Sequence, residues 1–404
     1  MEKKIRLSTS IFITIVCTLM ASLITYFVLN NIMIYNGKLF QKHQVLINKL
    51  IGVDEKVRKN FIGKLNDEEL IDGLLKGYMY SVDDKYADYY DKKTYREINK
   101  DLKGEYEGIG IKVVFNNEGN GLIITNIMKN SPAEKTDLAI GDVIVKVSNE
   151  KVFDLGYEAS VNKLLGKVGT SAEFSILRDE KEKQYSINRE KFEIVTVEPA
   201  IIFDGNIAFI RITEFDNNTF DNLKKEVESA IEKGTTGIIF DLRNNPGGSL
   251  DSVVNSLDYL LPKGTIVTVQ YKEGLVDENG KKVEPKIYVS DENQVDIPMV
   301  VLINENTASA GELFTCALRD YEKAKLVGQK TYGKGVGQET FDLGDETAVK
   351  FTTFTYTPPK SKNYDGIGIT PDYEVVMSPE LMSKFYSLKP QEDNQLQKAI
   401  ELLK

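Results

Sequence analysis

At residues 304–314 the chain reads Asn-Glu-Asn-Thr-Ala-Ser-Ala-Gly-Glu-Leu-Phe, directly after the apolar run Pro298 to Ile303. The apolar run has the composition of a buried strand, and the residues from Glu312 to Arg319 have helical spacing. Ser309 is therefore expected where a strand turns into a helix. Such a turn exposes a hydroxyl and directs free backbone N–H groups at whatever binds there.

A catalytic serine needs a base, because an alcohol is almost fully protonated at neutral pH. The single histidine, His43, lies far upstream, so a lysine or a carboxylate would have to take the proton. Lys334 is the best-placed candidate, because glycines flank it and bring backbone close. Its pKa would have to fall by roughly 3 units from about 10.4, which burial can supply. We therefore predict that Lys334 is desolvated.

Two simpler interpretations of these motifs stay open at this point. Ser309-Ala310-Gly311-Glu312 fits the capping box S-x-x-E, in which the serine only caps a helix. Gly328 to Lys334 matches the start of a phosphate-binding loop, G-x-x-x-x-G-K, which would make the chain a nucleotide-binding protein. That second match is weak, because Gly335 stands where a serine or threonine would hold magnesium.

The two motifs together resemble the signature of the carboxyl-terminal processing (tail-specific) serine proteases. The matching stretches are Thr307 to Glu312 and Lys330 to Gln338. The resemblance implies that Ser309 attacks, that Lys334 serves as general base and then acid, and that Gln338 orients the lysine. It also implies an acyl-enzyme that water resolves, with no metal, nucleotide or other cofactor.

Length, charge and cysteine count narrow the class of protein. A chain of 404 residues with 41% apolar residues can hold two or three domains with buried cores. The formal net charge of −10 argues against a nucleic-acid partner, which would normally require a basic face. Two cysteines and one histidine supply neither a disulfide framework nor a Cys/His zinc site.

Residues 1–35 are predicted to form a cytoplasmic tip and a membrane anchor. No charged residue occurs from Ile11 to Leu29, and at about 1.5 Å per residue this length matches a bilayer core. Lys3, Lys4 and Arg6 precede it, so the positive-inside rule keeps the N-terminus in the cytoplasm. No A-x-A site follows, which favours a retained anchor over a cleaved signal. We expect a single-pass protein of the cell membrane whose catalytic domain is extracytoplasmic.

Residues 36–101 are predicted to form a helical region, because the apolar spacing from Gln41 to Lys100 is helical and amphipathic. Asp84 to Tyr90 is similar to the D-x-Y-S-x-Y segment that ends this region in the family. In relatives the region contributes to dimer contacts, which implies a homodimer. A packed helical arm without a partner is the open alternative, and we expect no catalytic residue here.

Residues 102–190 are predicted to form a PDZ domain of the bacterial type. The resemblance rests on G-x-G at Gly108 to Gly110, S-P-A at Ser131 to Ala133 and G-D-V-I at Gly141 to Ile144. Such a domain adds an extended peptide to a sheet edge and binds its terminal carboxylate with backbone N–H groups, here those of Gly108, Ile109 and Gly110. The implied partners are protein or peptide substrates bound by their C-termini. Leu165 departs from the family, whose members commonly carry arginine at that position.

Residues 191–404 are predicted to form an α/β protease domain with a mixed sheet and a C-terminal helix. A strand from Asn206 to Ile212, a helix from Phe220 to Ile231 and a strand from Gly237 to Leu242 predict a βαβ unit with a right-handed crossover. The next residues, Arg243 to Ser249, match the D-L-R-x-N-x-G-G loop of the family.

This glycine loop is assigned to the oxyanion hole. We expect the amides of Gly247 or Gly248, together with Ala310, to stabilise the transition state by roughly 3–4 kcal/mol each. The loop and Ser309 both follow strands, and ligands of open α/β sheets bind outside carboxyl strand ends. A plain glycine turn is the simpler alternative. The predicted function is a membrane-anchored serine endopeptidase, and the alternative function is a non-catalytic PDZ adaptor on an inactive protease fold.

Overall fold

The computed structural model describes residues 43–404 with short gaps at 103–104, 117–120, 179–180, 194, 204–205, 278, 384 and 386–387. It also describes the single residues 18, 20, 22, 23, 25 and 26. Most of the predicted membrane segment, Ile11 to Leu29, therefore lies outside the described residues. Across the portion of the chain that is described, no helix has both the length and the apolar character needed to span a bilayer.

The chain divides into two compact units, Met1–Leu74 and Leu75–Lys404. The first unit contains helix α1, which covers residues 43–60. Helix α2 (Asp67–Tyr80) begins in the first unit and ends in the second. The second unit continues with strand β1 (Asp88–Tyr90) and helix α3 (Lys92–Leu102).

The region predicted to be a PDZ domain follows within the second unit. Its elements are β2 (Glu105–Gly108), β3 (Ile111–Asn116), β4 (Gly121–Ile127), β5 (Val143–Val147), β6 (Glu150–Lys151), α4 (Val152–Leu164), β7 (Ser171–Arg178), β8 (Lys181–Asn188) and β9 (Glu190–Glu193). An antiparallel sheet has the strand order β3-β4-β5-β7-β8, and β6 pairs with β5. Strands β2 and β9 pair antiparallel at the two ends of the region. Alternate residues of the sheet, such as Leu122, Ile124 and Ile144, form its fully buried core.

The remaining residues form the predicted α/β domain. Its elements are β10 (Ile201–Phe203), β11 (Ile207–Arg211), α5 (Thr219–Glu232), β12 (Gly237–Asp241), α6 (Leu250–Leu260), β13 (Gly264–Tyr271), β14 (Lys286–Ser290), β15 (Met299–Ile303), α7 (Ala310–Asp320), β16 (Ala324–Gly328), β17 (Val336–Asp342), β18 (Ala348–Thr357), β19 (Tyr373–Glu374), α8 (Pro379–Ser383) and α9 (Asn394–Leu403). The predicted strand, helix and strand of the βαβ unit are β11, α5 and β12, and the two strands are parallel.

The main sheet has the order β10-β11-β12-β15-β16-β19, and it is mixed because β10 is antiparallel while the other neighbours are parallel. Both of its faces are covered. Ile238 and Phe240 pack with residues of α5, α6 and α7, whereas Ile239 between them packs with Leu396 and Ile400 of α9. Burial on both faces explains why these strands are continuous apolar runs instead of alternating ones.

A second, antiparallel sheet has the order β1-β18-β13-β14, with β17 also paired to β18. The helical prediction for residues 36–101 is therefore wrong at β1. Tyr89 and Tyr90 are buried there, and they pair with Val349 and Ala348 of β18. Because this pairing joins residues more than half the chain apart, the local apolar pattern carries no sign of it.

A buried ion-pair network fixes the end of β12 against α9. Arg243 Nη2 lies 2.8 Å from both Asp241 and Asp393, and Arg211 Nη2 lies 3.0 Å from Asp241. Burial alone would raise the pKa of Asp241, but the two arginines lower it to about 2. Asp393 also caps α9 by accepting from Gln395 N and Leu396 N. This network thus holds the start of the loop that follows β12 in place.

Candidate active site

Ser309 lies at the strand-to-helix turn that the sequence predicts. β15 ends at Ile303, and Ser309 is the N-cap residue of α7. Its φ of 54° lies in the region that glycine favours, which costs another residue of order 1–3 kcal/mol. The buried Thr307 holds the turn by donating from Oγ1 to Leu242 O at 2.8 Å. The serine is therefore kept in a strained conformation by the loop around it.

The carboxylate of Glu312 joins the serine turn to the lysine loop. Glu312 is completely buried. It accepts four hydrogen bonds, from Ser309 N (3.0 Å), Thr331 Oγ1 (2.5 Å), Gly333 N (2.7 Å) and Lys334 N (2.7 Å). The first bond is the Glu312 half of a capping box, whereas the other three bind the lysine loop. A buried charge requires such donors, and here they tie both motifs to one group.

The glycine loop after β12 packs directly against Ser309. A Cβ atom on Gly247 would lie 2.7 Å from the Ser309 Cβ, so only glycine fits there. The Gly247 N–H donates to Asn245 Oδ1 at 2.8 Å, and it is not free to bind an oxyanion. The N–H groups of Gly248 and Ala310 donate no hydrogen bond to any described residue. Two of the three amides predicted for the oxyanion hole thus remain available beside the serine.

The amine of Lys334 is half-buried, and burial lowers its pKa below the usual value. The charges of Lys350 and Lys85 lower this pKa further, while Asp84 and Glu312 act in the opposite direction. A lysine base must be neutral, and the pKa of Lys334 is shifted in the direction that favours the neutral amine.

The Lys334 side chain makes no hydrogen bond to Ser309 in this arrangement. Its Nζ lies 4.4 Å from the centroid of the Tyr86 ring. Within the described residues, Nζ donates no hydrogen bond and forms no ion pair, so Ser309, Lys334 and Gln338 are not joined by hydrogen bonds. The two loops meet at Glu312, but the two reactive side chains share no hydrogen bond.

Gln338 instead belongs to a hydrogen-bonded chain that runs to Asp84. Its Nε2 donates to Thr352 Oγ1 at 3.0 Å, and Thr352 donates to Asp84 from Oγ1 at 3.2 Å and from N at 2.7 Å. Asp84 Oδ1 also accepts from Tyr86 N at 3.0 Å. Burial would raise the pKa of Asp84, but these hydrogen bonds lower it below its usual value. From the sequence alone, we expect no catalytic residue in this segment.

Two further tyrosines that the sequence analysis did not name surround the serine. Tyr356 is buried, and burial raises its pKa to about 12 although a hydrogen bond with Ser309 acts in the opposite direction. Tyr364 donates weakly to Ser309 O at 3.5 Å, and burial raises its pKa well above the usual value. Both phenols therefore stay protonated at neutral pH and cannot act as the base.

The phosphate-loop interpretation of Gly328 to Lys334 is wrong. The element that follows is strand β17, whereas a phosphate-binding loop leads into a helix whose N-terminus faces the anion. In addition, the N–H groups of Gly333 and Lys334 are already bound to the Glu312 carboxylate. A phosphate would meet a negative charge at this position instead of free donors.

A separate apolar groove lies beside the G-x-G turn between β2 and β3. A cavity of about 160 Å³ is lined there by Gly108, Ile109, Gly110 and apolar side chains that include Leu164 and Leu165. In the part of the chain that is described, the N–H groups of Ile109 and Gly110 donate no hydrogen bond. The groove thus combines free backbone donors with an apolar wall, as binding of a peptide terminus requires.

Comparisons with known proteins agree with this architecture. Residues 206–375 match peptidase family S41, and residues 108–188 match the PDZ domain. Both ranges lie inside the domains predicted from the sequence.

Curated relatives extend the similarity over most of the chain. The probable CtpA-like serine protease of Staphylococcus saprophyticus is 33% identical over 369 residues, which cover 90% of this chain and 72% of the relative. That of Staphylococcus aureus (strain MRSA252) is 32% identical over 365 residues, covering 90% and 71%. Among solved structures, the photosystem II D1 C-terminal processing protease shares the fold with a TM-score of 0.50 at 23% identity, covering 81% of this chain and 86% of that one. Since relatives that are one-third identical across most of both chains share a family, this chain belongs to peptidase family S41 and is a serine peptidase with a PDZ domain.

Proposed function

We propose that this peptidase is an endopeptidase that cleaves extracytoplasmic proteins near their C-termini, with Ser309 as nucleophile, Lys334 as base and Gln338 as the residue that orients the base. The observation that carries the proposal is the shared Glu312 carboxylate, which binds the backbone of both Ser309 and Lys334. With both loops fixed to one group, we infer that a movement of the lysine side chain brings Nζ to the serine.

The reaction begins when the neutral Lys334 amine removes the proton from Ser309 Oγ as the oxygen attacks the substrate carbonyl carbon. The oxyanion forms beside the N–H groups of Gly248 and Ala310, each contributing roughly 3–4 kcal/mol. The Lys334 ammonium then protonates the leaving amine, and the C–N bond breaks. Water, deprotonated by the same amine, attacks the acyl-enzyme. The Lys334 ammonium returns this proton to Ser309 Oγ as the acyl C–O bond breaks, and the new carboxyl terminus is released. Gly247 supports this hole through its contact with Ser309 instead of donating to it.

Gln338 suits this chemistry because it carries no charge. A carboxylate beside Lys334 would hold the amine in its protonated form, whereas a neutral amide can fix its direction without raising its pKa strongly.

Digestion of casein by the full-length protein tests these assignments. We expect the wild type to digest casein, and Ser309→Ala and Lys334→Ala to be inactive although they melt at the wild-type temperature. Equal digestion by all three proteins would remove the catalytic roles and leave the PDZ-adaptor alternative.

The PDZ domain is proposed to bind the C-terminal residues of the substrate. The free N–H groups of Ile109 and Gly110 would hold the terminal carboxylate, and the apolar wall would take the last side chain. A peptide ending in a free carboxylate should therefore bind at least about tenfold more tightly than the same peptide with a terminal amide. Equal affinities, measured by fluorescence anisotropy, would contradict this mode of binding.

The membrane anchor is proposed from the sequence of residues 11–29 and the basic residues before it. The full-length protein should remain in the membrane pellet after alkaline extraction, and a variant that lacks residues 1–35 should be released. Release of both forms would argue against an anchor, and so against a single-pass protein of the cell membrane.

A further inference from the structure

The proposed base contacts a segment that lies far from it in sequence. Lys334 Nζ sits over the ring of Tyr86, 4.4 Å from its centroid, which is well inside the range of about 6 Å for a cation–π interaction. The attraction acts on the ammonium form, because a neutral amine has no charge to interact with the ring. Lys85 Nζ lies over the same ring, 4.8 Å from its centroid, so this ring attracts two ammonium groups.

Asp84 fixes the position of this ring. Its Oδ1 accepts from Tyr86 N at 3.0 Å, and its Oδ2 accepts from Thr352 N at 2.7 Å. Strand β1 follows directly and pairs with β18, beginning with Asp88 opposite Lys350. The segment is thus attached to the sheet that also contains Gln338, by side-chain and by backbone hydrogen bonds.

The Asp84 carboxylate also determines which end of the Gln338 amide is free. An ionised carboxylate can only accept hydrogen bonds, so the single Thr352 hydroxyl hydrogen is donated to Asp84. The Thr352 oxygen must then accept from Gln338, which uses its Nε2 for this bond. The carbonyl oxygen of Gln338 is left as the group that can accept from the Lys334 amine.

We propose that Tyr86 and Asp84 are positioning residues for the catalytic base: the Tyr86 ring holds the resting Lys334 ammonium, and Asp84, through Thr352, turns the Gln338 carbonyl oxygen toward the amine. This inference rests on the proposed role of Lys334. Both residues act through the lysine.

The charges around Lys334 determine the direction in which its pKa shifts in the variants. The groups that face it are Lys85, Lys350, Asp84, Glu312 and the Tyr86 ring. Loss of the ring or of the Asp84 charge removes an interaction that favours the ammonium, so the pKa of Lys334 falls. Because the base must be neutral, the acidic limb of the pH profile of kcat/KM then moves to lower pH.

The test compares the full-length wild type with Tyr86→Leu, Tyr86→Phe and Asp84→Asn, using labelled casein between pH 6 and pH 10. Tyr80→Leu is the matched control, because Tyr80 is 92% exposed at the end of α2. We expect Tyr86→Leu to raise kcat by up to about tenfold with an unchanged KM, because the ring no longer holds the amine in its resting position. The acidic limb should move to lower pH in Tyr86→Leu and Asp84→Asn, while Tyr86→Phe and Tyr80→Leu keep the wild-type profile.

Thermal melting separates these effects from misfolding. A folded Tyr86→Leu whose kcat is at or below the wild-type value, or whose acidic limb stays at the wild-type pH, overturns the proposal. Lys334→Ala is assayed alongside. Activity in that variant would reject the role of Lys334 itself, whereas an inactive Lys334→Ala with an unshifted Tyr86→Leu profile rejects only the positioning role.

Discussion

Ser309 and Lys334 belong to loops that bind the same carboxylate, yet their side chains are fixed to different degrees. Around Ser309 the backbone is held from both sides, by Ala308 N bound to Asn245 O and by Leu313 N bound to Ser309 O. Lys334 has a fixed backbone, but its side chain ends over the Tyr86 ring without a hydrogen bond to any described residue.

This difference indicates which part of the site remains adjustable. The strained turn at Ser309 places the nucleophile and its oxyanion donors before a substrate arrives, in the way that electrostatic preorganisation requires. The lysine half of the site, which comprises Lys334 and the groups around its amine, is the adjustable part. The charge, burial and position of this amine decide whether it can act as a base. Changes in the serine half, which comprises Ser309 and the glycine loop, should therefore lower activity strongly, whereas changes to the groups that surround the Lys334 amine should tune it.

The largest effect is expected from Glu312→Gln, because Glu312 binds the backbone of both the serine turn and the lysine loop. The amide would place an NH₂ group among four donors, so about two hydrogen bonds are lost and the free energy of unfolding falls by about 3 kcal/mol. Because nucleophile and base are both displaced, kcat/KM should fall by about 10³-fold or more. Casein digestion and thermal melting measure the two effects. A variant with wild-type activity would show that the shared carboxylate does not align the loops.

An intermediate effect is expected from Gly248→Ala, which changes only the serine half. The new Cβ would lie 2.1 Å from Phe215 O at a φ of 136°, so the loop must move and the oxyanion donor with it. We expect kcat to fall by about 10²–10³-fold with little change in KM. Gly274→Ala is the control, because Gly274 has a φ of 76° but no atom within 4 Å of the new Cβ. Similar losses in both variants would assign the effect to backbone strain alone.

The smallest effect is expected from Lys350→Gln, which changes only the charge near the base. Removal of this positive charge raises the pKa of Lys334, since Lys350 lowers it in the wild type. The neutral fraction then falls, and the acidic limb of kcat/KM moves to higher pH by less than about one unit. Lys263→Gln, at a lysine whose side chain is 69% exposed, serves as the control. A shift to lower pH would contradict the assignment of Lys334 as the base.

The serine half could be predicted from the sequence because local patterns carry it. Fully apolar runs identify β12 and β15 as doubly covered strands, and the carboxyl ends of neighbouring parallel strands lie at one edge. The glycine loop and Ser309 had to meet there. The occupied N–H of Gly247 was not predictable, because it depends on the direction of the Asn245 side chain.

The lysine half could be predicted only in part. Glycines around Lys334 indicated a close approach of backbone, but not what its amine contacts. Asp84 bonds to Thr352 across 268 positions of the chain, and that contact exists only because β1 pairs with β18. The similarity of Asp84 to Tyr90 to a family segment was the one signal present, and no rule of spacing connects it to the base.

In the proposed mechanism, the Lys334 amine leaves the Tyr86 ring to deprotonate Ser309. The most direct measurement is the distance between Lys334 Nζ and Ser309 Oγ in a crystal structure of the protein with a bound substrate peptide. We predict a distance of about 2.6–3.2 Å, which is hydrogen-bond reach for a general base. A complex in which the peptide carbonyl contacts Gly248 and Ala310 while Nζ remains over Tyr86 would contradict this mechanism.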